Sequence, residues 1–139
     1  MTRYMRWLDR GFESYEDLRR WSVEDLEGFW ASIWEHFEVE GGYEQVLGDR
    51  SMPGAKWFTG AEVNYAEHAF RGKPDDRVAI VHAGELRNQA EVTWGELREQ
   101  VAGIAAGLRA LGVRRGDRVA AYLPNIPEAT AAFLATASI

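Results

Sequence analysis

The sequence predicts an α/β fold in which a helical N-terminal segment leads into β-α-β-α units. Three observations carry this reading. Apolar residues from Leu26 to Phe37 recur at helical steps. From Asp75 the grammar changes to short runs rich in β-branched and apolar residues, Val78-Ala79-Ile80-Val81 and Val119-Ala120-Ala121-Tyr122-Leu123. Helix-start signals follow each run: Thr93 with Glu96 as a capping box, and Pro127 as a first helical residue.

The elements follow in order. Ser14 is placed to cap a short helix carrying Leu18 and Trp21. Ser22 is read as the cap of a second helix from Val23 to Phe37, with Asp25 reaching back as in a capping box. Leu26, Phe29, Trp30, Ile33, Trp34 and Phe37 form one broad apolar stripe on it, opposite Glu24, Glu27, Glu35 and Glu38. The stripe is expected to pack on the α/β body. Gly41-Gly42 ends the helical block, and Tyr43 to Gly60, with Gly48, Pro53, Gly54 and Gly60, reads as an ordered loop. Asn64 to Phe70 reads as one or two helical turns stopped by Gly72 and Pro74.

Val78–Val81 is expected as a buried strand, and Glu91-Val92-Thr93-Trp94 as a second strand reached by a hairpin-like connection. The next helix carries Leu97, Val101, Ile104, Ala105, Leu108 and Leu111 on one face, with Gly112 as its C-terminal stop. Val119–Leu123 is expected as another buried strand. The strand–helix alternation implies right-handed crossovers in a mostly parallel sheet. Asp76-Arg77-Val78-Ala79 and Asp117-Arg118-Val119-Ala120 repeat a polar turn entering an apolar strand. The last helix, with Ala129, Phe133 and Leu134, is still apolar at Ile139, so the chain reads as a truncated α/β body.

Composition excludes several classes. Among 139 residues, 46% are hydrophobic and 27% charged, which fits a globular chain. The net charge of -6 opposes a nucleic-acid partner, which needs a basic face. With no cysteine there is no disulfide, thiolate metal site or thiol nucleophile. No signal peptide follows Met1, and Ala129 to Ile139 is too short to span a membrane, so a cytoplasmic protein without membrane contact is expected.

The sequence holds no phosphate-cradling or nucleophile-elbow motif: no G-x-G-x-x-G, no G-x-x-x-x-G-K-[ST], no G-x-S-x-G. His36, His68 and His82 lack H-E-x-x-H spacing and read as structural. Asp75-Asp76 reads as turn and cap chemistry before a strand. Trp30 and Trp34 read as core at helical spacing; Trp57-Phe58 in the Gly-rich stretch is less defined. Catalytic, nucleotide-binding and metal residues are therefore expected to be none. One ligand-edge candidate remains. Asn125, in Pro124-Asn125-Ile126-Pro127-Glu128, follows a strand's carboxyl end and opens a helix, where open α/β sheets bind ligands.

A resemblance adds to this reading. Tyr15-Glu16-Asp17-Leu18, Trp21-Ser22-Val23-Glu24-Asp25 and Phe29-Trp30 resemble the N-terminal cap segment of acetyl- and acetoacetyl-CoA synthetases. The run from Met52-Pro53-Gly54-Ala55-Lys56-Trp57-Phe58 to Asn64-Tyr65-Ala66-Glu67 is similar to their segment leading into the adenylating domain, and closer to the acetoacetate branch. The rest, through Leu123-Pro124-Asn125, resembles the start of the large domain of AMP-forming synthetases.

The resemblance implies residues 1–60 as the helical cap segment with its linking loop, and 61–139 as the start of the AMP-binding domain. It implies an acid–thiol ligase: a carboxylate such as acetoacetate attacks the α-phosphorus of ATP, and coenzyme A then displaces AMP. ATP, Mg2+ and coenzyme A would serve the full-length enzyme, with no cofactor on this stretch. The family's phosphate loop, adenine and ribose contacts and catalytic lysine are expected downstream, so the chain itself is expected to be inactive. The Val78 and Val119 strands, without sheet neighbours, and the apolar last helix are expected to make it self-associate. A stand-alone non-catalytic module, or part of an acetyl- or propionyl-CoA synthetase, is the alternative.

Overall fold

A computed structural model describes all of Met1–Ile139. The chain divides into two compact units, Met1–Val63 and Asn64–Ile139.

The first unit holds three helices and a hairpin: α1 (Thr2–Leu8), α2 (Tyr15–Glu24), α3 (Leu26–His36), β1 (Gln45–Asp49) and β2 (Lys56–Thr59). Helix α1 carries no side-chain cap and no apolar stripe, which is why the sequence alone did not announce it. Its anchor is the buried Tyr4, whose hydroxyl pairs with Ser32 Oγ at 2.6 Å. Helix α2 starts as expected. The Ser14 hydroxyl accepts the Asp17 N–H, and the Asp17 carboxylate accepts the Ser14 N–H at 2.9 Å. The Ser14 hydroxyl, then its N–H, hold the Asp17 carboxyl below its ordinary value.

The expected single helix from Val23 to Phe37 is corrected. Ser22 lies inside α2, its hydroxyl donating to the Arg19 carbonyl at 2.8 Å. Asp25 is the cap of α3 instead. Its backbone leaves the helical region at φ -120, ψ 72, and its carboxylate accepts the Gly28 N–H at 2.9 Å and the Trp21 indole N–H at 3.1 Å.

The stripe on α3, expected to pack on the α/β body, has ring partners within this unit. Trp30 meets Trp57 edge-on at 5.7 Å, and Trp34 meets Tyr43 at 5.1 Å and Phe58 at 4.8 Å. Toward the other helices, Phe29 meets Trp21 at 5.7 Å and Tyr4 at 6.4 Å. The stretch expected as a loop over 43–60 therefore contains the antiparallel hairpin on which these rings lean. Gln45 pairs with Thr59 and Leu47 with Trp57, and the register slips between Leu47 and Asp49. At the slip a Cβ on Gly48 would come within 2.7 Å of the Thr59 methyl, so only glycine fits there without a shift.

The second unit holds α4 (Tyr65–Phe70), β3 (Val78–Gly84), β4 (Arg87–Thr93), α5 (Trp94–Ala110) and α6 (Pro127–Ala137). Asn64 caps α4, accepting the Glu67 N–H at 3.1 Å. Strands β3 and β4 pair antiparallel across Glu85-Leu86, with Val78 opposite Thr93 and Ile80 opposite Val92. The mostly parallel sheet expected from the alternation is thus corrected. A two-residue connection returns the chain antiparallel, and no other segment pairs with either strand. Val119–Leu123 forms no strand because no neighbour supplies its ladder; Val119, Tyr122 and Leu123 stand exposed. For the same reason β3 is not buried on both faces: Ala79 and Ile80 are half-buried, Val78 and Val81 exposed.

The core of this unit is built on α5. Thr93 and Glu96 form the capping box, with the Thr93 N–H on Glu96 Oε2 at 2.8 Å. That bond is the first cause holding the Glu96 carboxyl below its ordinary value. Leu97, Val101 and Ala105 are buried against Ala131, Leu134 and Ala135 of α6 and Val92 of β4. Gly112 follows the helix at φ +93, a left-handed turn that stops α5 as expected. Leu111 departs from expectation: it lies past the last turn and is 84% exposed. No helix is long and apolar enough to cross a membrane.

Leu97 and Leu111 make a matched pair. Leu97 is 2% exposed at the centre of the cluster. Leu97→Ala is expected to cost ~2–5 kcal/mol, whereas Leu111→Ala stays within about 0.5 kcal/mol. Urea unfolding followed by circular dichroism measures both; equal costs would remove Leu97 from the centre of this core.

Candidate functional site

Asn125 sits where the sequence put it, between the Val119–Leu123 segment and α6. It lies in an exposed bend. The bend is closed by the Ile126 N–H on the Pro124 carbonyl at 2.9 Å and by the Ala129 N–H on the Ile126 carbonyl at 3.0 Å. Ile126 enters α6 from the extended region with no side-chain cap, and Pro127 takes the first helical position, where a missing N–H costs nothing. Pro127 is buried, which fixes the bend on the body of the helix.

Glu128 occupies the helix start. Its carboxylate accepts its own backbone N–H and the Arg87 guanidinium, with Arg87 Nη1 at 2.9 and 3.0 Å from the two oxygens. Both effects hold the Glu128 carboxyl below its ordinary value, the backbone N–H first and Arg87 second. This pair ties the tip of the β3–β4 hairpin to the turn that carries Asn125. Sequence reasoning missed it. An acid in a helix's first turn is a legible signal, but nothing local marks Arg87, 41 residues away.

Beside the turn runs an open apolar groove lined by Val119, Ala121, Leu123, Ala129, Ala132 and Phe133. Tyr65 meets Phe133 edge-on at 5.7 Å. Groove and turn offer carbon surface, one amide, the paired Glu128 and Arg87, backbone groups and the hydroxyl of Thr136, which also lines the groove and donates to the Ala132 carbonyl at 2.9 Å. They hold no nucleophile, base or cation cluster.

The other flagged residues are placed elsewhere. Asp75 accepts the Arg98 guanidinium by its side chain and the Gly95 N–H by its carbonyl, which is cap and turn chemistry. His36 is ringed by Tyr4 at 5.0 Å and Trp7 at 4.8 Å, His68 lies on α4 and His82 on β3. No three His, Asp or Glu side chains come together in a way that could hold a metal ion.

The comparisons with known proteins fall on this frame. The family model of the acetyl-coenzyme A synthetase N-terminus matches residues 15–69, and that of the AMP-binding enzymes matches residues 66–139. The chain belongs to the AMP-binding enzyme family. Within it the similar proteins are acetoacetyl-CoA synthetases. That of Macaca fascicularis is 44% identical over 91% of this chain and 20% of its own length, and that of Rhizobium meliloti 37% identical over 100% and 22%. The solved acetoacetyl-CoA synthetase from Streptomyces lividans is 52% identical with a TM-score of 0.88, covering 98% of this chain and 22% of that one. The chain spans about a fifth of the length of the curated relatives it matches.

Glu128 gives a pH-dependent expectation with a definite sign. A carboxyl lowered by folding adds stability above its unfolded pKa and loses it as pH falls through the lower folded value. In Arg87→Ala the first cause, the backbone N–H, remains. The Glu128 carboxyl should then titrate above its parent value yet still below the ordinary glutamate range. A carbon-13 carboxyl NMR titration reads this, and a curve identical to the parent's would show that Arg87 does not hold the turn.

Proposed function

We propose that this chain is the N-terminal portion of an acid–thiol ligase that activates acetoacetate with ATP to an acyl-adenylate and transfers it to coenzyme A. The single observation that carries this reading is the likeness to the Streptomyces lividans enzyme over 98% of the chain at 52% identity. In this reading 1–60 is the cap segment with its linking loop, and 61–139 opens the adenylation domain. Asn125 contributes a contact at the ligand edge of that domain. The protein acts in the cytoplasm on a small carboxylate, ATP and coenzyme A, with no nucleic-acid or membrane partner. A relative named malonamoyl-CoA synthetase in Penicillium aethiopicum, 33% identical, favours a second short carboxylate as the next candidate.

The residues of this stretch do not fit Mg2+ or the ATP phosphates. No acidic or histidine group converges, and no Gly-rich phosphate loop occurs. Charge developing on phosphate oxygens needs placed donors or cations, so the chain alone is inactive. ATP–pyrophosphate exchange with acetoacetate, acetate and propionate should stay at the protein-free level for residues 1–139. A chimera joining 1–139 to the remainder of the Streptomyces lividans enzyme should exchange with acetoacetate in preference to the other two. Exchange by the chain alone, or a chimera preferring acetate, would defeat the reading.

The unpaired Val119–Leu123 segment and exposed Phe133 leave apolar surface and free ladder groups. We infer that the isolated chain self-associates through this face. Sedimentation velocity should show oligomers for the chain and their loss in Leu123→Lys; a monodisperse monomer of the unaltered chain counts against it.

A further inference from the structure

We draw no further inference here: the strongest candidate, the open apolar groove between the Val119–Leu123 segment and α6, belongs to the site already described, and nothing in the structure shows what covers it.

Discussion

The second unit depends on one contact, the seating of α5 on α6. Its inner face is leucine and valine from α5 against alanines from α6, and Ala131 and Ala135 are fully buried. Small residues on one helix let the larger ones of the other sit close, at interior density. The β3–β4 hairpin adds Val92 from one side and α4 adds Ala66. A two-stranded hairpin alone is marginal in water, so these strands persist because the helix pair gives them a surface. The Arg87–Glu128 pair then fixes the hairpin tip to the start of α6.

The first unit rests on rings rather than aliphatic chains. Phe58 shows how strongly. It holds φ 47, a region that bulky L residues rarely enter, while its ring closes a three-ring cluster with Trp34 at 4.8 Å and Tyr43 at 5.2 Å. These ring contacts offset the backbone cost, of order 1–3 kcal/mol. The hairpin and α3 are therefore mutually required: the helix supplies the platform, and the left-handed turn at Phe58 delivers a ring to it.

What the sequence made legible was local. Ser14, Thr93 with Glu96, Pro127 and Gly112 all stand at the helix ends they were read for. Each acts within four residues, where a side chain and a backbone group meet regardless of fold. Asp25 was seen but given the wrong role, because the indole of Trp21 and the Gly28 N–H both favour it over Ser22. The β1–β2 hairpin was missed because Leu47 is its only buried residue and its support comes from α3. Val119–Leu123 was read as a strand on composition, yet pairing is a property of two segments, and this chain brings it none. At the candidate site the position of Asn125 was legible. Its anchoring through Arg87 was not, since an ion pair across 41 residues leaves no pattern in sequence.

The tryptophans are unevenly shared. Trp7, Trp21, Trp30, Trp34 and Trp57 all belong to the first unit, and Trp94 alone to the second. Intrinsic fluorescence is thus almost a private channel for residues 1–63, whereas far-ultraviolet ellipticity reports the helices of both units together. Emission recorded beside ellipticity on one sample therefore sets the first unit against the average of the chain. Any gap between their midpoints measures how far the two halves of the chain lose order independently.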